Sequence, residues 1–71
     1  MWIEMDDVVI NLNTVTSFAV YEANEYSLES LVINTTTTDN HAFYDNCKER
    51  YAKLKEILFG GDYYDYELLK M

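Results

Sequence analysis

Only one pair of side chains in this sequence has the chemistry of a nucleophile and its base: the imidazole of His41 and the thiol of Cys47, six positions apart. A thiolate is activated only by a base within hydrogen-bond reach. On a single helix, six positions place two side chains about 120° apart, so this spacing does not aim the ring at the sulfur. Unpaired cysteine is among the most buried residue types, and Cys47 falls on an apolar stripe, so it reads as a core residue. His41 lies in a polar run and reads as an exposed histidine near a loop. Asp39, His41 and Asp45 offer oxygen and nitrogen donors, but without the set spacing of a metal site.

The remaining candidates for chemistry have simpler readings. Asp6-Asp7 pairs two carboxylates, but a general acid needs burial to raise its pKa, and adjacent acids in a turn stay solvated. Gly60-Gly61 follows a helical pattern instead of opening one, so it is no phosphate cradle. Asn34-Thr35-Thr36 matches the pattern for N-glycosylation, yet no secretory signal accompanies it. The sequence therefore predicts no catalytic residue, no cofactor, no metal and no enzymatic activity.

The elements that would position any site are legible from periodicity. Trp2-Ile3-Glu4-Met5 and Val8-Val9-Ile10-Asn11-Leu12 flank Asp6-Asp7, a spacing that suits a two-residue hairpin. By the strand period of two, Val8, Ile10 and Leu12 should face the core. Val15 to Tyr21 is β-branched and aromatic and reads as a third strand. Glu22-Ala23-Asn24-Glu25 makes a loop, and Leu28 to Ile33 a fourth strand. Thr35 to Asn40 either prolongs that strand or forms a loop.

Past residue 40 the period changes. Phe43, Cys47, Tyr51, Leu54 and Leu58 recur at helical steps, widened by Tyr44 and Ile57, and Glu49 precedes Lys53 by four positions on the opposite side. Two starts compete for this helix. The stripe favours a cap at Thr38 or Asp39, while Asn46 with Glu49 makes a capping box; the stripe carries more weight. Gly60-Gly61, directly after Phe59, supplies the usual left-handed stop. The expected fold is α+β, a small antiparallel meander of three to five strands with one C-terminal amphipathic helix packed on one face. Residues 1–59 form the domain, and residues 60–71 an acidic, Tyr-rich C-terminal tail that is either an added strand, a short helix capped by Asp62, or disordered.

Composition limits the functions that remain. Seventy-one residues support one core, and 49% hydrophobic content is too rich for a charged disordered segment. The margin is thin in so small a chain, which a second copy or a partner would relieve. One cysteine makes no internal disulfide. No stretch reaches the roughly 18 apolar residues of a membrane span, and no signal-peptide pattern opens the chain, so the expected compartment is the cytoplasm. Thirteen acids against five bases give a net charge of −8, which opposes direct binding to nucleic acid or anionic membranes. Four of the bases, Lys48, Arg50, Lys53 and Lys55, lie in the segment from 45 to 56.

Two functions follow as expectations. The first is a small non-catalytic protein-interaction module whose partner is another protein or a second copy, giving a homo-oligomer. Its contact residues would be Tyr63, Tyr64, Tyr66 and Leu68 in the tail, where alternation suits strand addition to a sheet edge, together with Glu4, Asp6, Asp7, Glu22, Glu25 and Glu29. The alternative is an acidic inhibitor of the phage type, in which those six carboxylates mimic phosphates and occupy the basic groove of a host-defence or other nucleic-acid-binding protein.

Overall fold

In the computed structural model, which describes residues 1–37, 40–60 and 68–71, β-strands make up two small sheets and a single helix closes them. Strands β1 (Trp2–Met5) and β2 (Val8–Asn11) form the expected hairpin, with Met5 opposite Val8 across Asp6-Asp7. Asp6 takes the left-handed backbone (φ 55°) that so short a turn requires. A 3₁₀ turn, Leu12–Thr14, leads into β3 (Val15–Tyr21), and β4 (Ser30–Thr35) and β5 (Asn40–Phe43) complete the second sheet in the order β3-β4-β5. After helix α1 (Cys47–Phe59), β6 (Leu68–Lys70) joins the first sheet, in the order β2-β1-β6.

The α+β expectation holds, with one helix packed on antiparallel strands. The strands described number six and divide between two sheets, where the sequence reading had a single meander. The added strand option is realised at Leu68–Lys70, which runs parallel to β1 with Trp2 opposite Leu68. Asp62 to Glu67 lie outside the described residues.

Alternation decides which side chains enter the core. Ile3 and Met5 point inward from β1, with Ile10 from β2 beside Leu12; Leu31 and Ile33 come from β4, and Phe43 from β5. Cys47, Leu54 and Ile57 meet them from α1, and all ten form one buried cluster. On β3 a strict period of two would put Val15 with Ala19 and Tyr21. A bulge between Val15 and Ser17 breaks that phase, so Val15 joins Phe18 and Val20 against the core. The hydroxyl of the bulged Thr16 donates to the Asn34 carbonyl at 3.2 Å, replacing a missing ladder bond.

The helix start differs from the expectation. Phe43 does not belong to α1: it pairs with Leu31 on β5 and reaches the core by strand alternation, while Tyr44 is exposed just beyond the strand. Thr38 and Asp39 lie outside the described residues, and the residue that precedes the helix is Asn46, the competing start. Asn46 sits in left-handed backbone (φ 52°, ψ 41°) and its side chain makes no capping bond, so it acts as a corner between β5 and α1 and not as half of a capping box. At the other end Gly60 is right-handed and donates to the Glu56 carbonyl at 2.7 Å, so of the expected Gly60-Gly61 stop the first glycine is not left-handed, and Gly61 lies outside the described residues. A Cβ there would lie 2.5 Å from the same oxygen.

Leu54 of α1 is fully enclosed in the cluster to which both sheets contribute. Leu54→Ala should cost about 2–5 kcal/mol, most of the stability of so small a domain. Urea denaturation followed by circular dichroism should show the midpoint collapse or the cooperative transition vanish.

Candidate protein interface

The second sheet has one face on the core and one at the surface. Ala19, Val32 and Ala42 sit side by side across β3, β4 and β5, out of phase with buried Leu31 and Ile33, and so form a flat apolar row on the outer face. One end of this row is bounded by Ser17, Asn34 and Asn40, with the Asn34 amide donating to Ser17 Oγ at 2.9 Å. The other end carries Tyr21, opposite Ser30, and exposed Tyr44. No Asp, Glu, Lys or Arg stands among these residues, in a chain with thirteen acids.

The loop between β3 and β4 extends that end. Asn24 organises it: its side-chain oxygen accepts from the backbone N–H of Tyr26 at 2.7 Å and of Ser27 at 3.0 Å, and its own N–H donates to the Ser27 carbonyl at 2.9 Å. This is the local side-chain mimic of a turn that asparagine makes readily. The fold thereby holds Tyr26 outward, 89% exposed, with Leu28 also exposed beside it. Glu22 and Glu25 lie in the same loop and make no ion pair with any described residue. Tyr21 and Tyr44 are thus exposed at one end of the second sheet, and Tyr26 is exposed in the loop that leaves that end together with Glu22 and Glu25.

The other predicted contact residues do not join this patch. Glu4 is on the outer face of the first sheet, with its carboxylate 3.9 Å from Lys70 Nζ, and Leu68 is on the same face beside Trp2. Glu29 faces Lys48 at 3.9 Å, and Asp7 is exposed in the first turn. Tyr63, Tyr64 and Tyr66 lie outside the described residues. The six carboxylates are thus divided among the first turn, the connection between β3 and β4, and the first sheet. Tyr21, Leu28 and Tyr44 were missed as contact residues because their spacing placed them in the third strand, the fourth strand and the helical stripe; Tyr26, an aromatic side chain between Glu25 and Ser27 in a polar loop, was the signal available.

Asp6 is committed to structure. Arg50 reaches from α1 and donates to both of its carboxylate oxygens, at 2.8 and 3.4 Å, while its own guanidinium lies 5.9 Å from the centre of the Phe43 ring. The Arg50 side chain is 11% exposed. These hydrogen bonds hold the Asp6 carboxyl below the usual carboxylate range and push Arg50 up. Arg50 also lines an open groove of about 380 Å³ with Asn46, Glu49, Lys53, Lys70 and Met71. The bases there are balanced by Glu49, Asp6 and Glu4, so the groove carries no excess positive charge.

His41 and Cys47 are placed in different surroundings. The Cys47 thiol is buried, donates to the Phe43 carbonyl at 3.3 Å and lies 3.7 Å from the Glu29 carbonyl. His41 sits on β5, half-buried and opposite Ile33, where a loop histidine was expected; its place on a pairing strand explains the difference. It lines a groove of about 290 Å³ with Trp2, Asn11, Thr14 and Thr35. Among the described residues no group of three or more His, Cys, Asp or Glu is arranged to hold a metal ion, and no helix is long and apolar enough to cross a membrane. Comparison with protein-family models, with curated proteins and with solved structures finds no match.

Two outcomes follow from this geometry. Because the folded-state pKa of Asp6 is lowered, the stability it confers is complete above its unfolded value, about pH 4, and is lost as pH falls through the lower folded value. Asp6→Asn should therefore destabilise the protein at neutral pH and flatten the acid limb of a stability-versus-pH curve measured by urea titration. In the loop, Asn24→Ala should leave the midpoint of thermal unfolding within a few degrees, since surface changes cost about 0.5 kcal/mol, yet speed amide exchange at Tyr26 and Ser27 in NMR.

Proposed function

We propose that this protein is a non-catalytic interaction module that binds another protein through the outer face of its second sheet and the tyrosine-bearing end of that sheet. The observation that supports this reading is the charge-free row Ala19, Val32 and Ala42, continued by Tyr21, Tyr26 and Tyr44, on a chain of net charge −8. Large rigid aromatics on a preorganised loop contribute binding energy at low entropic cost. Glu22 and Glu25 at the margin favour a partner with basic residues around an apolar centre.

An acidic decoy for a nucleic-acid-binding protein is the second reading, favoured by the net charge and by the absence of ion pairs at Asp7, Glu22 and Glu25 among the described residues. It is the weaker reading, since Glu4, Asp6 and Glu29 each face a base of the same chain. Affinity capture with mass spectrometry, run in parallel on the native chain and on a Tyr21→Ala/Tyr26→Ala variant verified as folded, tests the first. A partner whose affinity falls roughly 100-fold or more in the double variant is expected, in line with loss of two aromatic hot spots. Capture that the tyrosines do not affect, but that collapses between low and high salt, would favour the decoy.

A further inference from the structure

The sheet that carries the tyrosine face also has an open side. Among the described residues no strand pairs with the outer edge of β3, because the sheet runs β3-β4-β5 and its chain neighbours lie elsewhere. This edge is seven residues long, Val15 to Tyr21, and contains neither charge nor proline. Natural proteins protect such edges with lysines, prolines or covering elements, since the free N–H and C=O groups are a template for another strand. Among the described residues this edge is blunted by the bulge at Thr16 and by the end of α1 beside Val15 to Phe18; Ser17 to Tyr21 stay in unbroken register with β4.

Each end of the edge has its own chemistry. At the start, Val15, Thr16, Ser17 and Phe18 face Leu58 and Phe59 of α1 across an open groove of about 200 Å³, and Phe59 is 78% exposed. Beyond the other end lie Glu22 and Glu25. The strand rises about 3.4 Å per residue, so groove and carboxylates stand roughly 20 Å apart. An edge strand flanked by a helix, with a side-chain groove at one end, is the geometry of strand addition: backbone bonds give affinity, and the terminal contacts give direction and specificity.

We propose that β3 accepts an extended segment of the partner protein as an added antiparallel strand, basic where it passes Glu22 and Glu25 and bearing a large apolar side chain that enters the Phe59 groove about seven residues later. This rests on the reading of the protein as an interaction module and names the shape and charge of its ligand. The antiparallel direction puts the basic residues at the N-terminal end of the segment. Charge complementarity selects this occupant over a second copy, which would bring the same two glutamates and a further −8 to the contact.

The test is a ten-residue peptide, Lys-Arg-Lys-Thr-Val-Thr-Val-Thr-Ile-Phe, titrated into the full chain by fluorescence anisotropy, with amide exchange of β3 followed by NMR. Saturable binding is expected, with slowed exchange at the outward-facing amides of β3. Affinity should fall about tenfold in Phe59→Ala and about tenfold in Glu22→Lys/Glu25→Lys, and only the second variant should also lose the salt dependence. Both changes are at exposed positions, and circular dichroism confirms the fold. No binding, equal binding by a peptide with glutamates in place of its three bases, or binding that leaves β3 exchange unchanged would overturn the proposal. So would outward-facing β3 amides already protected in the free chain, the sign of an edge occupied by the chain itself or a second copy. If the peptide fails while Tyr21 and Tyr26 still govern partner capture, strand addition alone falls; if the tyrosines have no effect either, the interaction reading falls with it.

Discussion

Among the described residues a single α-helix of thirteen residues covers two three-stranded sheets, and the rest of the described architecture follows from that shortage. Neither sheet can bury a face alone, so Ile3 and Met5 from one and Leu31 and Ile33 from the other converge on Leu54 and Ile57. Each sheet consequently has only one covered face. The second face of each stays at the surface, and nothing in the first sheet's charged outer row, Glu4 with Lys70, resembles the uncharged row of the second. The candidate interface is therefore what remains when a small core has taken all the helix it has.

Electrostatics divides the molecule in a complementary way. The bases concentrated on α1 are distributed among neighbours by the fold: Arg50 clasps the Asp6 turn of the first sheet, and Lys48 faces Glu29 at the entry to the second. Of these contacts the Arg50 clasp has short bidentate geometry and a largely buried base, whereas pairs at 3.9 Å contribute little. The helix is tied to the Asp6 turn and to the entry of β4 from its first turns, while Glu22 and Glu25, in the loop that carries Tyr26, make no such tie with a described residue.

Period explains what the sequence disclosed and what it concealed. The first hairpin, the inward set Val8, Ile10 and Leu12, the third and fourth strands and the helical stripe from Cys47 to Leu58 were all legible because burial imposes a repeat of two or of 3.6. Phe43 misled because it stands four positions before Cys47, so a residue buried by strand alternation extended a helical pattern by chance. The bulge at Thr16 and the parallel pairing of Leu68 with Trp2 depend on partners far away in sequence, which no local window contains. The interface was the least legible part. Its residues are defined by what does not cover them: Ala19 and Val32 look in sequence like any half-buried strand positions, and Ala42 fell in the stretch that the helical stripe claimed.

The pairing of β6 against β1 sets an order of events during synthesis. Trp2 leaves the ribosome long before Leu68, yet the first sheet has β1 at its centre and needs both flanking strands. The β1–β2 hairpin must therefore wait with one side open while the whole second sheet and the helix are translated, and isolated hairpins are marginal in water. Contacts that close so long a loop form slowly. The nascent chain should consequently assemble around β3, β4 and α1 and zip its first sheet last, with the hairpin as the segment most dependent on chaperones in the interval.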